Sequence, residues 1–178
     1  MKLVEEPLPG IKVFEPFVHR DARGEFVKPY HEEKLREYGI DFVLREEFFS
    51  ISAKGVIRGM HFQCPPAAHA KWIYCISGSA LDVVLDLRKN SPSFGRSVGV
   101  ELTATNRRVI YIPIGFAHGF ASLEDGTCLV YKTDHVHAPD AEAGIFWDSF
   151  GFEWPFDNPV VSARDAGLPR LAEFSSPF

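Results

Sequence analysis

The segment Ile73-Tyr74-Cys75-Ile76-Ser77-Gly78-Ser79-Ala80-Leu81-Asp82-Val83-Val84-Leu85-Asp86-Leu87 constrains the fold more than any other. Two runs rich in strand formers flank Ser77-Gly78-Ser79, a turn composition, so they read as consecutive strands of a sheet. In the second run Leu81, Val83, Leu85 and Leu87 share one face, while Asp82, Val84 and Asp86 share the other. The same pattern returns in Arg108-Val109-Ile110-Tyr111-Ile112-Pro113 and in Thr127-Cys128-Leu129-Val130-Tyr131-Lys132. Short strands at roughly ten-residue spacing, divided by Gly, Pro, Asn and Asp, predict an all-β, antiparallel sandwich or barrel. One stretch breaks the pattern: His31 to Tyr38 is rich in helix formers and stops before Gly39, which predicts a short helix over 31–38.

No internal repeat or shift in composition marks a second domain, and 178 residues suffice for one real core. The chain is therefore expected to be a single domain over 1–178. Its last part, from about residue 138, has little periodicity and many Pro, Phe and Trp; it is expected to be an ordered wrap over the β core. A net charge of −5 gives no electrostatic case for nucleic acid or an anionic membrane as partner. The apolar runs are too short to span a bilayer, and the N-terminus turns acidic at once, unlike a signal peptide. Three cysteines, Cys64, Cys75 and Cys128, are odd in number and lack close pair spacing, which suits a reducing cytosol. A cytoplasmic location follows as the expectation.

Four segments look chemical: Gly55-Val56-Ile57-Arg58-Gly59-Met60-His61-Phe62-Gln63, His69-Ala70-Lys71, Pro113-Ile114-Gly115-Phe116-Ala117-His118-Gly119-Phe120 and Ser162-Ala163-Arg164-Asp165. On a regular strand, residues at odd separation face opposite sides. Arg58 and His61 thus share a site only if a bulge intervenes, and Gly59 permits one. Pro113-x-Gly115-x-x-His118 resembles the second conserved motif of cupin barrels, in which the His points inward. Cupins often hold a metal through a His-x-His pair and a Glu from an earlier hairpin. Here that hairpin has no His-x-His, and Lys71 offers an ammonium where a carboxylate would be needed, so no metal ligands are expected.

Taken together, the motifs resemble the dTDP-4-dehydrorhamnose 3,5-epimerase family. Those that carry the resemblance are Asp21-Ala22-Arg23-Gly24-Glu25-Phe26, Arg58 to Gln63, Lys71, Asp86-Leu87-Arg88 with Ser91-Pro92-Ser93-Phe94-Gly95, Gly115 to Phe120, Val130-Tyr131-Lys132, Ile145-Phe146-Trp147-Asp148 and Ser162 to Asp165. They run in order along nearly the whole chain. The resemblance implies a cupin, jelly-roll type barrel with a few short helices. It implies a homodimer that exchanges N-terminal strands, and a role in deoxysugar and polysaccharide biosynthesis. The implied substrate is a nucleotide-diphosphate 4-keto-6-deoxy sugar, and no cofactor is implied. His61 would be the base, Asp165 its orienting partner, Lys71 the stabiliser of the enolate and Tyr131 the acid on the far face. Arg58, His118 and Gln63 would contact the substrate, and Arg23 and Phe26 the nucleotide, across the dimer.

Four positions depart from the family pattern. Lys28 stands where a Glu is usual, and Glu46 and Phe48 replace the Gln and Asn of Gln-x-Asn-x-Ser. His137 stands where a second aromatic hydroxyl is common. The first three are expected at the nucleotide end, which leaves two alternatives open. One is an epimerase acting at a single centre on a non-thymidine nucleotide sugar; the other is a non-catalytic sugar-binding cupin.

Overall fold

The computed structural model describes all residues, 1–178. In chain order the elements are β1 (Lys2–Glu5), β2 (Lys12–Glu15), β3 (Phe17–Asp21), β4 (Gly24–Lys28), α1 (Glu32–Glu37), β5 (Glu46–Ser52) and β6 (Ile57–Gln63). They continue with β7 (Lys71–Ser77), β8 (Ser79–Asp86), β9 (Ser97–Thr103), β10 (Val109–Ile112), β11 (Phe116–Ser122), β12 (Thr127–Thr133), β13 (Glu142–Gly144) and α2 (Ala163–Ala166). A six-stranded sheet, β1-β2-β10-β7-β12-β5, faces a five-stranded sheet, β13-β6-β11-β8-β9, and every strand pair is antiparallel. This is the cupin-like jelly roll expected from the sequence, with its helices confined to short pieces.

The two faces of Ala80–Leu87 go to different cores. Val84 joins Ile73, Ile110, Val100, Phe120 and Leu129 between the sheets. Leu85 and Leu87 pack outward with Val83, Met60, Phe62 and Ile145, beneath Phe150, Phe152, Trp154, Leu171, Phe174 and Phe178 of the C-terminal part. The Phe and Trp of that non-periodic segment thus cover the outer face of the smaller sheet. On the far side, Leu35 of α1 is buried with Phe14, Phe42, Trp72 and Val109 against the larger sheet. Full burial of each such side chain contributes roughly 1.5–3 kcal/mol, so both outer layers hold the sandwich rigid around its interior.

The bulge anticipated at Gly59 is present. Between β6 and β11, His61 pairs with His118 and Arg58 with Phe120, so three steps on one strand oppose two on the other. Gly59 has φ +136°, and a Cβ there would lie 2.5 Å from the Cα of Gly119. A Cβ on Gly119 would in turn lie 2.7 Å from the carbonyl of Arg58. Two glycines therefore let the backbones approach, and the extra residue brings Arg58 and His61 to the same cavity.

The hairpin β3–β4 forms a sheet of its own. Phe17 and Phe26 on it are more than half exposed, and Arg23 at its turn is ion-paired to Asp21. No helix is long and apolar enough to cross a membrane, and all three cysteines are free.

Candidate active site

Between the sheets opens a cavity of about 360 Å³, lined by residues of both: Glu46, Phe48 and Ser50 from β5, Tyr131 and Thr133 from β12, Lys71 from β7, and Arg58, His61 and His118 from the smaller sheet. Strand periodicity explains the selection. Tyr131 pairs directly with Phe48 on one side and Ile73 on the other, so alternate residues of three adjacent strands point to the same interior.

His61 Nε2 lies 2.7 Å from Asp165 Oδ1. The carboxylate is itself fixed: its Oδ2 accepts from the Gly59 N–H at 3.0 Å, and the Asp165 N–H donates to Ser162 Oγ, the N-cap of α2. Burial pushes the Asp165 carboxyl upward, but the hydrogen bonds from His61 and Gly59 outweigh it, and the net direction is below the ordinary carboxylate range. An ionised Asp165 accepting from Nε2–H leaves Nδ1 of His61 with its lone pair, the form a general base needs.

Lys71 is almost fully buried. Its Nζ donates to the carbonyl of His61 at 2.9 Å, leaving two further N–H donors. Burial lowers its pKa to about 8, against the opposing fields of Asp82 and Glu142, so the ammonium persists at neutral pH. A positive charge held in a site of low dielectric is worth several times its value in water, and removing one such oxyanion donor costs on the order of 3–4 kcal/mol.

Tyr131 is buried. Its hydroxyl shares a hydrogen bond with Ser50 Oγ at 3.2 Å, and burial holds its pKa above the usual phenol value. Its ring stacks on Phe48, with centroids 4.8 Å apart and planes 11° apart. Such a pair stabilises by about 0.5–1.5 kcal/mol beyond area burial. The His118 ring meets the Tyr131 ring edge-on at 6.1 Å. His118 Nε2 lies 2.8 Å from Asp82 Oδ2, and both side chains are essentially out of water.

The structure therefore brings His61, Lys71, Tyr131, Arg58 and His118 together in the lining of one cavity, with Asp165 hydrogen-bonded behind His61. Gln63, expected as a substrate contact, lines the cavity too, and its amide also ties the neighbouring loops. Its amide donates to the carbonyl of Ala67 and accepts from the N–H of Ala138, so both polar ends hold loops. Arg23, Phe26 and Lys28 lie on the β3–β4 hairpin, outside the lining of their own chain's cavity. Phe48, expected at the nucleotide end, lines the cavity, and cross-strand pairing lays it on Tyr131. Glu46 stays at the mouth, where it accepts from the His137 N–H, and Glu142 there pairs with Arg164 and His137.

Sequence reasoning missed Asp82, Ser50 and Glu142. The signal for Asp82 was on the page, a carboxylate beside Val84 on a strand face that turned out to point inward. Ser50 is the Ser of the Gln-x-Asn-x-Ser segment, which points to it without giving it a role, and Glu142 carries no mark at all. No three His, Cys, Asp or Glu side chains stand close enough together to form a metal site.

A profile of the dTDP-4-dehydrorhamnose 3,5-epimerase family matches residues 5–173. The dTDP-4-dehydrorhamnose 3,5-epimerase of Shigella flexneri is 41% identical, with 97% of each chain covered. The crystal structure of the Bacillus anthracis dTDP-4-dehydrorhamnose 3,5-epimerase, with TDP and PPi bound, superposes with a TM-score of 0.93 at 37% identity, covering 96% of this chain and 99% of the other. The Legionella pneumophila dTDP-6-deoxy-D-glucose-3,5-epimerase, in complex with dTDP-4-keto-L-rhamnose, also gives 0.93, at 31% identity over 98% of this chain and 94% of the other.

Proposed function

The chain belongs to the dTDP-4-dehydrorhamnose 3,5-epimerase family, and on that premise we propose that it is an isomerase inverting C3 and C5 of a dTDP-linked 4-keto-6-deoxy sugar. The observation that carries this reading is the convergence of the His61–Asp165 pair, the Lys71 ammonium and the Tyr131 phenol on one cavity. A ketone at C4 acidifies the hydrogens on both neighbouring carbons. Nδ1 of His61 takes one of them, and the electron pair of the broken C–H bond moves into an enolate whose oxygen faces Lys71. Asp165 holds the resulting imidazolium. Tyr131 then gives its hydroxyl proton to the opposite face of the carbon, which inverts the centre. Exchange with water returns His61 and Tyr131 to their starting states. Each step is acid–base chemistry and calls on no metal ligand set.

Arg58 and His118 supply cationic and imidazole donors for the sugar or the diphosphate. Thymidine is the favoured nucleotide because the relatives named above are dTDP-sugar enzymes, which displaces the non-thymidine alternative. Arg23 and Phe26 fit the nucleotide across a homodimer. Two things support this: the exposed hairpin that carries them, and the exposed Phe49, Ile51 and Ile76 on the outer face of the larger sheet. The proposed setting is the cytoplasm, in deoxysugar biosynthesis that feeds polysaccharides.

The test is incubation with dTDP-4-keto-6-deoxyglucose in deuterated water. Deuterium at C3 and C5 of an inverted product is the expected result. Tight binding with neither exchange nor inversion would replace the enzyme by a sugar-binding cupin, and labelling at a single carbon would reduce it to an epimerase of one centre.

A further inference from the structure

Tyr131 is the one phenol among the residues that line the cavity, and its hydroxyl must meet a sugar carbon from a single side. Strand β12 fixes where its Cβ stands and leaves the ring's rotation to its neighbours. His118 of β11 meets the ring's side edge-on, and the two neighbours at its face and hydroxyl come from β5, the edge strand of the larger sheet. Phe48, directly opposite in the register, lies flat on the ring at 4.8 Å. Ser50, the next residue on the same face, meets the hydroxyl at 3.2 Å. One contact opposes rotation of the ring and the other marks where the oxygen ends. Phe48 is itself 47% exposed and stands in the cavity wall, so its packing serves the neighbouring phenol more than the core. The family pattern places a small amide here, which has no aromatic face to lay on a phenol.

We infer that Phe48, together with Ser50, is a positioning residue that sets the Tyr131 hydroxyl for proton delivery and so decides how much of the enolate is inverted. The inference rests on the epimerase reading above. Phe48 takes no part in removing the proton, so its loss acts on only one branch. The enolate still forms at His61, and misplacing the phenol lets more of it recapture a proton on its original face.

The experiment measures exchange and inversion separately, in deuterated water with dTDP-4-keto-6-deoxyglucose, for Phe48→Ala, Phe48→Leu, Phe48→Tyr and Ser50→Ala. Small misplacements of a reacting group are costly, and the ratio of exchange to inversion is expected to rise about tenfold in Phe48→Ala. Phe48→Leu keeps volume but loses the flat face; it moves the ratio the same way and provides the reading if the alanine variant is unfolded by circular dichroism. Phe48→Tyr keeps the stack and restores the ratio of the unaltered protein. Ser50→Ala raises it by a smaller factor. An unaltered protein that inverts normally, beside Phe48→Ala and Phe48→Leu variants slowed equally in exchange and inversion, overturns the inference and leaves the epimerase reading standing. An unaltered protein with neither exchange nor inversion overturns both.

Discussion

Two histidines of the smaller sheet, His61 and His118, are register partners on adjacent strands, and each is paired with a carboxylate, Asp165 and Asp82 respectively. Their hydrogen bonds are nearly equal, 2.7 and 2.8 Å. Their surroundings are not. The His61 side chain is 28% exposed and that of His118 only 5%. Asp165 reaches its partner from 104 residues away, on a short helix, whereas Asp82 comes from the adjoining strand. Burial pulls the His118 imidazole below its ordinary pKa despite Asp82. Equal geometry thus leads to different chemistry. Both histidines line the cavity, but the His61 pair is open to proton exchange with water, while the His118 pair is withdrawn from it.

The strongest break of this comparison is His61→Ala. It should remove exchange and inversion together, by roughly 10²–10⁴-fold, since no enolate forms without the base. His118→Ala should slow turnover much less and leave exchange detectable by mass spectrometry. Equal losses in the two variants would mean that both histidines carry the proton.

Tyr131→Phe probes the flank that His118 packs against. The base is kept, so deuterium should still enter with retention, while inversion falls by about 10²–10⁴-fold, the usual contribution of an acid group. Equal loss of exchange and inversion would instead make Tyr131 a support for the enolate.

Replacing the two carboxylates should separate activity from stability. Asp165→Ala should chiefly cost rate, since it frees an imidazole that water can still reach. Asp82→Ala strands a buried His118 and should lower unfolding free energy by about 1–3 kcal/mol in urea titration. A larger stability loss at Asp165 would reverse the roles assigned here.

The smallest effect is a displacement in pH. Lys71 loses its charge as pH rises through about 8, so kcat/KM should fall on that alkaline side. Because the Asp82 field raises the Lys71 pKa, Asp82→Asn should move the limb to lower pH. An unmoved limb would mean that the buried pair does not act on Lys71.

Alternation along Ala80–Leu87 was enough to announce a strand, and the run of short strands enough to announce an antiparallel sandwich or barrel, while the jelly-roll type came from the family resemblance. Period-2 burial is a local property, written in every second residue. The helix at Glu32–Glu37 was legible for the same reason, in its composition and the glycine that follows. The residue types of the site were legible as well, because a His, a Lys and a Tyr stand in recognisable motifs. Their use was less legible. Nothing local in the sequence told that the Gln63 amide would also hold two loop backbones, or that cross-strand register would lay Phe48 on Tyr131. Asp82, visible as a strand carboxylate, became a partner for His118 only when β8 and β11 paired.

The chain by itself determined the strands, the turn glycines and the inventory of acid and base groups, since these depend on neighbours in sequence. Which inward face meets which was decided by tertiary structure alone. So were which carboxylate seals which imidazole and which side chain fixes the phenol. Register between distant strands and the closing of one sheet over another place those groups within hydrogen-bond reach and withdraw them from water, and it is that withdrawal which divides two similar His–Asp pairs into one that water reaches and one that it does not.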